Sequence, residues 1–300
     1  MVGSFLALAA ALVLFQVLWS DRYVGLAVKN RLRLVRMAPA RGQIYDRNGM
    51  PLALNVMTFD IMGYPLDLKK DDVKLRLLGA MERARLPHDA ERLERRIRSL
   101  TWAPYRAISL VPNLTLLQMT NLMEDPDFPK ELFPMPVWRR TYPAGPLASH
   151  VVGCVGEISE KELQNVEASP EKSYIGGDAI GKTGVEAFYE DRLRGTVGES
   201  AVEVDARGRQ RRILYKKEPG IGSDLTLTID LGAQSYASQL LGDRNGAIVA
   251  LDVTNGEVIA LCSNPSYDPN PLAWGVSDAE WAALNADPDF PMMNRVIAGL

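Results

Sequence analysis

Ser169-Pro170-Glu171-Lys172 and Lys182-Thr183-Gly184 carry the residue types that serine acyl transfer needs. A serine hydroxyl is a weak nucleophile near neutral pH and requires an adjacent base. A lysine three positions on in a helix shares the serine's face and can act as that base, while a second lysine brought in from another element could pair with a substrate carboxylate. Here the two patterns stand only ten residues apart, too close for a site assembled from a helix start and a distant sheet strand. Ser169 followed by Pro170 reads better as a helix N-cap with proline in the first helical position. Neither pattern is expected to be catalytic.

Other residues with chemical potential also read more simply as structure. His150 is a lone histidine in an apolar setting with no serine or aspartate at motif spacing, so a satisfied core histidine outweighs a general base. Glu186 and Glu190 stand at i,i+4. Paired carboxylates can hydrolyse glycosides, but at this spacing they share a helix face, and a helix face is the preferred reading. Cys154 and Cys262 fit no CxxC or Cys/His spacing, so no metal or cofactor site is expected. They read as small buried hydrophobes; an oxidising compartment would also allow a disulfide, and spacing does not decide. Asp46, Arg47, Asn48 and Gly49 read as a turn in which the aspartate accepts backbone N–H bonds. Arg41 beside it is expected to pair with a carboxylate or to cap a strand end.

Composition narrows the classes. The 300 residues allow about two domains on the usual prior. Apolar residues make up 47% and charged residues 24%, an ordinary globular balance. With 34 basic against 37 acidic side chains and no basic tract interleaved with aromatics, nucleic acid is excluded as a partner. Val2–Ser20 carries no charge and as a helix covers about 28 Å, close to a bilayer's hydrocarbon core. Trp19 and Tyr23 fall where an interfacial belt would lie, and no small-residue cleavage site follows, so an uncleaved anchor is expected. The basic residues Arg22, Lys29, Arg31, Arg33 and Arg36 follow the span, which by the positive-inside rule alone would put the bulk of the chain in the cytoplasm.

The elements that must position these residues come from pattern. Asp21–Arg36 reads as helix, broken at Met37-Ala38-Pro39-Ala40. A hairpin runs from Gly42–Tyr45 through the Asp46–Gly49 turn to Pro51–Leu54. Val73, Leu75, Leu77, Leu78 and Met81 suit one amphipathic helix, and Ala90, Leu93 and Ile97 a second. Asn113 is expected to cap a third helix through Met123, and Asp125–Pro136 to close this lobe. Val137–Tyr142 is strand, Ser159 opens a short helix, and Glu186–Leu193 forms another. Ala201–Tyr215 reads as paired strands around Arg207-Gly208, and Gly220–Ser223 as a linker. Asp230 caps a helix to Leu241. Ala247–Asp252 and Glu257–Cys262 form an apolar hairpin expected to be covered on both faces.

Several segments, in order, resemble class B penicillin-binding proteins. Arg41-Gly42-Gln43-Ile44-Tyr45-Asp46-Arg47-Asn48-Gly49 is similar to the family's RGxIxDRNG. Arg140-Thr141-Tyr142-Pro143 and His150-Val151-Val152-Gly153 are like its RxYP and HxxG elements, and Gly181-Lys182-Thr183-Gly184-Val185-Glu186 matches GxxGxE. Leu227–Asp230 with Gln234 resembles the opening of the transpeptidase domain; Asp268 and Asn270 in Pro265–Asn270, then Asn294-Arg295, complete the series. Any one of these is weak, but the series in order behind an apolar span is specific. Arg22-Tyr23…Asn30-Arg31 and Ala53-Leu54-Asn55 resemble the family's elongation branch.

The resemblance implies an α+β fold: an anchor helix (1–20), an elongated pedestal or dimerisation domain (21–220) with an inserted helical lobe (about 66–136), and the N-terminal part of a transpeptidase domain (221–300). It implies a bulk outside the inner membrane, and a parent enzyme that cross-links peptidoglycan stem peptides and is acylated by β-lactams. It also implies partners in the membrane glycan polymerase and the elongation complex. The family's SxxK comes shortly after the segment Asn294–Leu300, so this chain is expected to lack the nucleophile and to be inactive alone. Gly222–Leu300 is expected to be poorly stable by itself, with hairpin edges exposed. Two rivals stay open. One is a non-catalytic scaffold of the elongation machinery. The other is a β-lactam sensor, against which the RGxIxDRNG element argues.

Overall fold

The computed structural model describes residues 3, 32–37, 39–64, 68, 71–87, 90, 93, 94, 97, 107–165, 174, 175, 177–204, 210–276 and 278–298. The expected anchor (Gly3 apart), the helix expected over 21–31 and the Ser169–Lys172 pattern lie outside them. Among the described residues no helix is long and apolar enough to cross a membrane.

The chain forms two compact units, Met1–Ala38 with Val197–Pro219 and Pro39–Thr196 with Gly220–Leu300. The first described element is β1 (Leu32–Met37), a strand where the sequence reads as helix. Leu32, Leu34 and Val35 suit a strand as well as a helix, and pairing decides.

The main unit begins with β2 (Ile44–Tyr45) and β3 (Pro51–Gly63), joined by the expected turn. β3 runs well past Leu54, because Val56, Thr58, Phe59 and Ile61 are β-branched or aromatic. α1 (Asp71–Arg83) buries Val73, Leu77, Ala80 and Met81, a single face at helical spacing. Beyond it come β4 (Ile108–Leu114), α2 (Leu116–Met123) and β5 (Phe133–Thr141). The cap of α2 is Thr115, not Asn113: Thr115 Oγ1 accepts from Gln118 N–H, and Gln118 Oε1 accepts from Thr115 N–H. Asn113 ends β4 in the left-handed region at φ 63, which asparagine tolerates. Ile61, Leu68, Leu77, Leu110, Leu122 and Leu132 lie together in the core of this lobe.

Short elements come next: α3 (Ser149–Val152), β6 (Val155–Glu157), α4 (Glu160–Asn165), β7 (Ala179–Gly181), α5 (Gly184–Phe188) and α6 (Glu190–Leu193). The helix expected over Glu186–Leu193 is thus two, split at Tyr189. In the smaller unit β8 (Gly198–Val204) and β9 (Gln210–Lys217) form the expected hairpin, and β8 also pairs with β1.

Gly220–Ser223 is not a free linker. Gly222 N–H donates to Ala40 O at 3.0 Å and Ser223 N–H to Arg192 O at 2.8 Å. A Cβ on Gly222 would stand 1.8 Å from Leu193 O, so the glycine is there for close approach rather than slack. β10 (Leu225–Thr226) then adds in parallel to β2, completing a five-stranded sheet ordered β10-β2-β3-β4, with β5 also paired to β3. Residues 220–300 belong to the same compact unit as 39–196.

α7 (Leu231–Leu241), capped by Asp230 as expected, packs on the hairpin of β11 (Gly246–Leu251) and β12 (Val258–Asn264). The helix covers one face, where Cys262 is buried against Ala237 and Leu241. The other face is open in this chain, with Val249 and Leu251 exposed, so the hairpin is not covered on both faces. Short helices α8 (Asn270–Trp274), α9 (Asp278–Ala286) and α10 (Arg295–Ala298) complete the described residues.

Candidate functional site

Where the chain leaves Pro39 and enters the sheet, Arg41 meets α5 and α6. Arg41 Nε donates to Glu186 Oε2 at 2.6 Å, and its Nη2 to Glu186 O at 2.8 Å and Glu190 Oε2 at 2.6 Å. Arg140, at the end of β5, approaches Glu186 from the other side: Nε to Oε1 at 2.6 Å, with Nη1 donating to Gly42 O at 2.7 Å and Asn55 Oδ1 at 3.2 Å. Tyr142 adds its hydroxyl to Glu186 Oε1 at 3.3 Å while accepting from Val155 N–H. Glu190 takes Gly181 N–H at 2.9 Å and the Tyr174 hydroxyl. Two arginines and two glutamates balance in charge, which is what lets Glu186 sit wholly out of water.

Burial lowers the Arg41 pKa, but the Glu186 charge and the bond to Glu190 more than reverse it, and the net shift is upward. Burial raises that of Glu190, yet the Arg41 bond and charge bring it below the usual carboxylate range. Burial pushes the Tyr142 phenol well up, and the Glu186 charge pushes the same way. Neither the hydrolase reading of Glu186 and Glu190 nor the plain helix-face reading holds. Each carboxylate oxygen is taken by an arginine, a tyrosine or a backbone N–H, leaving none to activate water. Their i,i+4 spacing suggests a surface pair; Glu186 is instead buried because cations come to it from 46 and 145 residues away.

The Asp46–Gly49 turn forms a second joint. Asp46 Oδ1 accepts from Asn48 N–H at 2.8 Å and Met50 N–H at 2.7 Å, while Oδ2 accepts from Leu231 N–H at 3.1 Å, at the start of α7. Burial raises the Asp46 pKa, and these backbone bonds outweigh it, so the carboxyl stays below its ordinary value. Arg47 N–H donates to Ile229 O, and its guanidinium reaches Glu257 at 3.0 Å. Asn48 Nδ2 donates to Asp230 Oδ2 at 3.0 Å, and Gly49 supplies φ 80. Gln234 spans the same region, exchanging bonds with Leu261 N–H and C=O and donating to Leu147 O.

The remaining motif residues stand at further joints. Asn270, held by Asp268 at 2.7 Å, clamps the backbone of Tyr142: it accepts from Tyr142 N–H at 2.9 Å and donates to Tyr142 O at 3.1 Å. Trp274 Nε1 donates to Arg140 O at 2.7 Å. Asn294 donates to His150 O, and Arg295 N–H to Ser263 Oγ. Gly181 closes β7 and Gly184 opens α5. Lys182 pairs with Glu162 at 2.5 Å, not with a serine. Cys154 and Cys262 are free and buried. Among the described residues no cluster could hold a metal. Tyr174, Ser263 and Trp274 carry no sequence signal; Asn55, Tyr142 and Gln234 have only their place inside matching segments.

Comparison with known proteins agrees with this architecture. Residues 36–227 match the penicillin-binding protein dimerisation domain. The peptidoglycan D,D-transpeptidase MrdA of Acinetobacter baumannii is 38% identical over 98% of this chain and 43% of its own length. The Escherichia coli K12 protein of that name is 37% identical over 91% of the chain and 43% of its own. The chain thus spans less than half the length of these relatives. Penicillin-binding protein PBP2 from Helicobacter pylori, solved in complex with MreC, superposes with a TM-score of 0.73 at 29% identity, covering 88% of this chain and 49% of that one. With the matched domain spanning more than half of its residues, the chain belongs to the penicillin-binding proteins.

Proposed function

We propose that this chain is the anchor, pedestal and catalytic-domain opening of a peptidoglycan D,D-transpeptidase serving cell elongation. The observation that carries the reading is the joint at Asp46: the signature turn of the dimerisation domain bonds directly to the start of α7 and to Glu257. A turn built to hold the next domain is what a pedestal needs, and relatives similar over 91–98% of the chain bear the transpeptidase name. On this reading Val2–Ser20 is a membrane anchor, residues 21–220 the pedestal, and residues 221–300 the first part of the transpeptidase domain. The bulk lies outside the inner membrane. Stem peptides are the substrate, β-lactams acylate the full-length protein, and the nucleophile lies in the part of the relatives that this chain does not span.

The test is a labelled β-lactam followed by a denaturing gel. Full-length protein should take one label per molecule and residues 1–300 none. A stoichiometric label on Ser169 would overturn the reading.

A second reading, a partner-binding module, is favoured by the H. pylori relative being solved with MreC. On that reading the chain binds an elongation-complex scaffold or the membrane glycan polymerase whatever its catalytic state. Binding of residues 21–300 to the cognate MreC extracytoplasmic domain supports it, and no binding at tens of micromolar sinks it.

A further inference from the structure

The segment Pro291–Arg295, which leads into α10, is gripped from two sides by groups the joints at Glu186 and Asp46 do not include. His150, on α3, places Nε2 2.9 Å from Pro291 O, so that nitrogen carries the proton and donates. The backbone carbonyl of the same residue accepts from Asn294 Nδ2 at 3.3 Å. From β12, Ser263 Oγ donates to Met293 O at 3.2 Å and accepts Arg295 N–H at 3.0 Å. Asn294 Oδ1 meanwhile receives Val296 N–H at 3.1 Å, capping α10.

These two grips differ in origin. Ser263 lies in the hairpin beside α10. His150 lies in the HxxG-like segment, held by Tyr267 edge-on at 5.5 Å, and two residues after α3 Cys154 O takes Lys182 N–H at 2.8 Å, just before α5 and Glu186. The start of α10 is therefore fixed against both the hairpin and the pedestal.

We infer that His150 and Ser263 are positioning residues for the acyl-transfer centre. This rests on the transpeptidase reading, in which the resemblance implies that the nucleophile follows shortly after the segment Asn294–Leu300. A hydroxyl reacts only when its carbon framework is held near the attack geometry, and a displacement of about 1 Å can cost about 100-fold in rate. Two side chains that set three backbone contacts at one helix start are placed to control that displacement, with the His150 carbonyl holding Asn294 beside them. Neither touches a reacting atom, so both act through the position of α10.

The test uses the full-length protein and stopped-flow acylation by a fluorescent penicillin, separating the pre-acylation affinity from the acylation rate constant. His150→Leu removes the donor and should slow acylation about 10- to 100-fold while the affinity and the active fraction hold. His150→Gln restores an Nε2 donor and should recover most of the rate. Ser263→Ala should lower the same rate constant, and it keeps the inference testable should His150→Leu fail to fold. An unchanged rate constant per folded molecule, or equal impairment in His150→Leu and His150→Gln, overturns the inference while wild type still labels. A wild type that takes no label overturns the transpeptidase reading, and this inference with it.

Discussion

Arg140 Nε lies 2.6 Å from Glu186 Oε1, and the two side chains are 3% and 0% exposed. Arg41 closes the opposite oxygen at the same distance. Removing one partner from such a set leaves an uncompensated charge in a dry site, at a cost of about 3–5 kcal/mol. Glu186→Ala should therefore lower the unfolding free energy by that amount, with two guanidiniums left facing each other. Urea unfolding of the purified protein checks it, and a loss under about 1 kcal/mol would mean water reaches the site. Lys in place of Arg140 should fail as well, because one ammonium cannot serve Glu186, Gly42 O and Asn55 together.

Asp46 joins its own turn to α7 through separate oxygens, Oδ1 for Asn48 and Met50, Oδ2 for Leu231. Asp46→Asn keeps one acceptor and replaces the other with a donor, which cannot receive Leu231 N–H. The expected loss is about 1–3 kcal/mol from the orphaned amide. Hydrogen exchange should quicken at Leu231 and along α7, while amides of β4 keep wild-type rates. Uniform acceleration across the chain would argue against a local joint.

Much of this is legible in the residues, and the exceptions share a cause. The Asp46 turn and the Asp230 cap are local, encoded within a few positions, and the structure has both; α1 buries Val73, Leu77 and Met81 as expected but leaves Leu75 exposed. Arg41 finds the carboxylate that its place beside the turn leads one to expect. Which carboxylate depends on a separation of 145 residues, and nothing local encodes that. Asn113 misleads because asparagine serves both caps and left-handed strand ends; Thr115 with Gln118 makes the stronger capping box. Residues 32–36 end the segment Asp21–Arg36 that reads as helix, but pairing with Glu199–Glu203 makes them a strand.

The Lys182–Glu162 pair gives a prediction in pH. Glu162 has its pKa lowered to about 2, first by the bond from Lys182 and then by Ser159 N–H. A carboxyl whose folded value is depressed stabilises the fold above its unfolded value of 4.5, and that contribution fades as pH falls from there toward 2. NMR titration should find the Glu162 side chain still ionised at pH 3. Lys182→Met should move its midpoint back up toward 4.5. A midpoint that Lys182→Met leaves in place would show that Ser159 alone sets it.

Gly222 separates the two meanings that glycine can have. In sequence, Gly220-Ile221-Gly222-Ser223 looks like slack between domains. In the fold, a Cβ there would stand 1.8 Å from Leu193 O and 2.6 Å from Gly42 N, both backbone atoms with nowhere to retreat. The approach matters because Gly42 N–H donates to Leu193 O at 2.7 Å, beside the carbonyl of Gly42 that receives Arg140. Gly222→Ala should wedge these strands apart and cost about 1–3 kcal/mol, lowering Tm by several degrees in a unit of this size. Gly256→Ala is the control. Its φ of 77 strains an alanine by about 1–2 kcal/mol, but nothing lies within 4 Å of the new methyl, so it carries the backbone strain without the clash. Thermal unfolding of both variants decides. If Gly222→Ala proves as mild as Gly256→Ala, residues 220–223 are a tether that does not hold the following residues rigidly at this point.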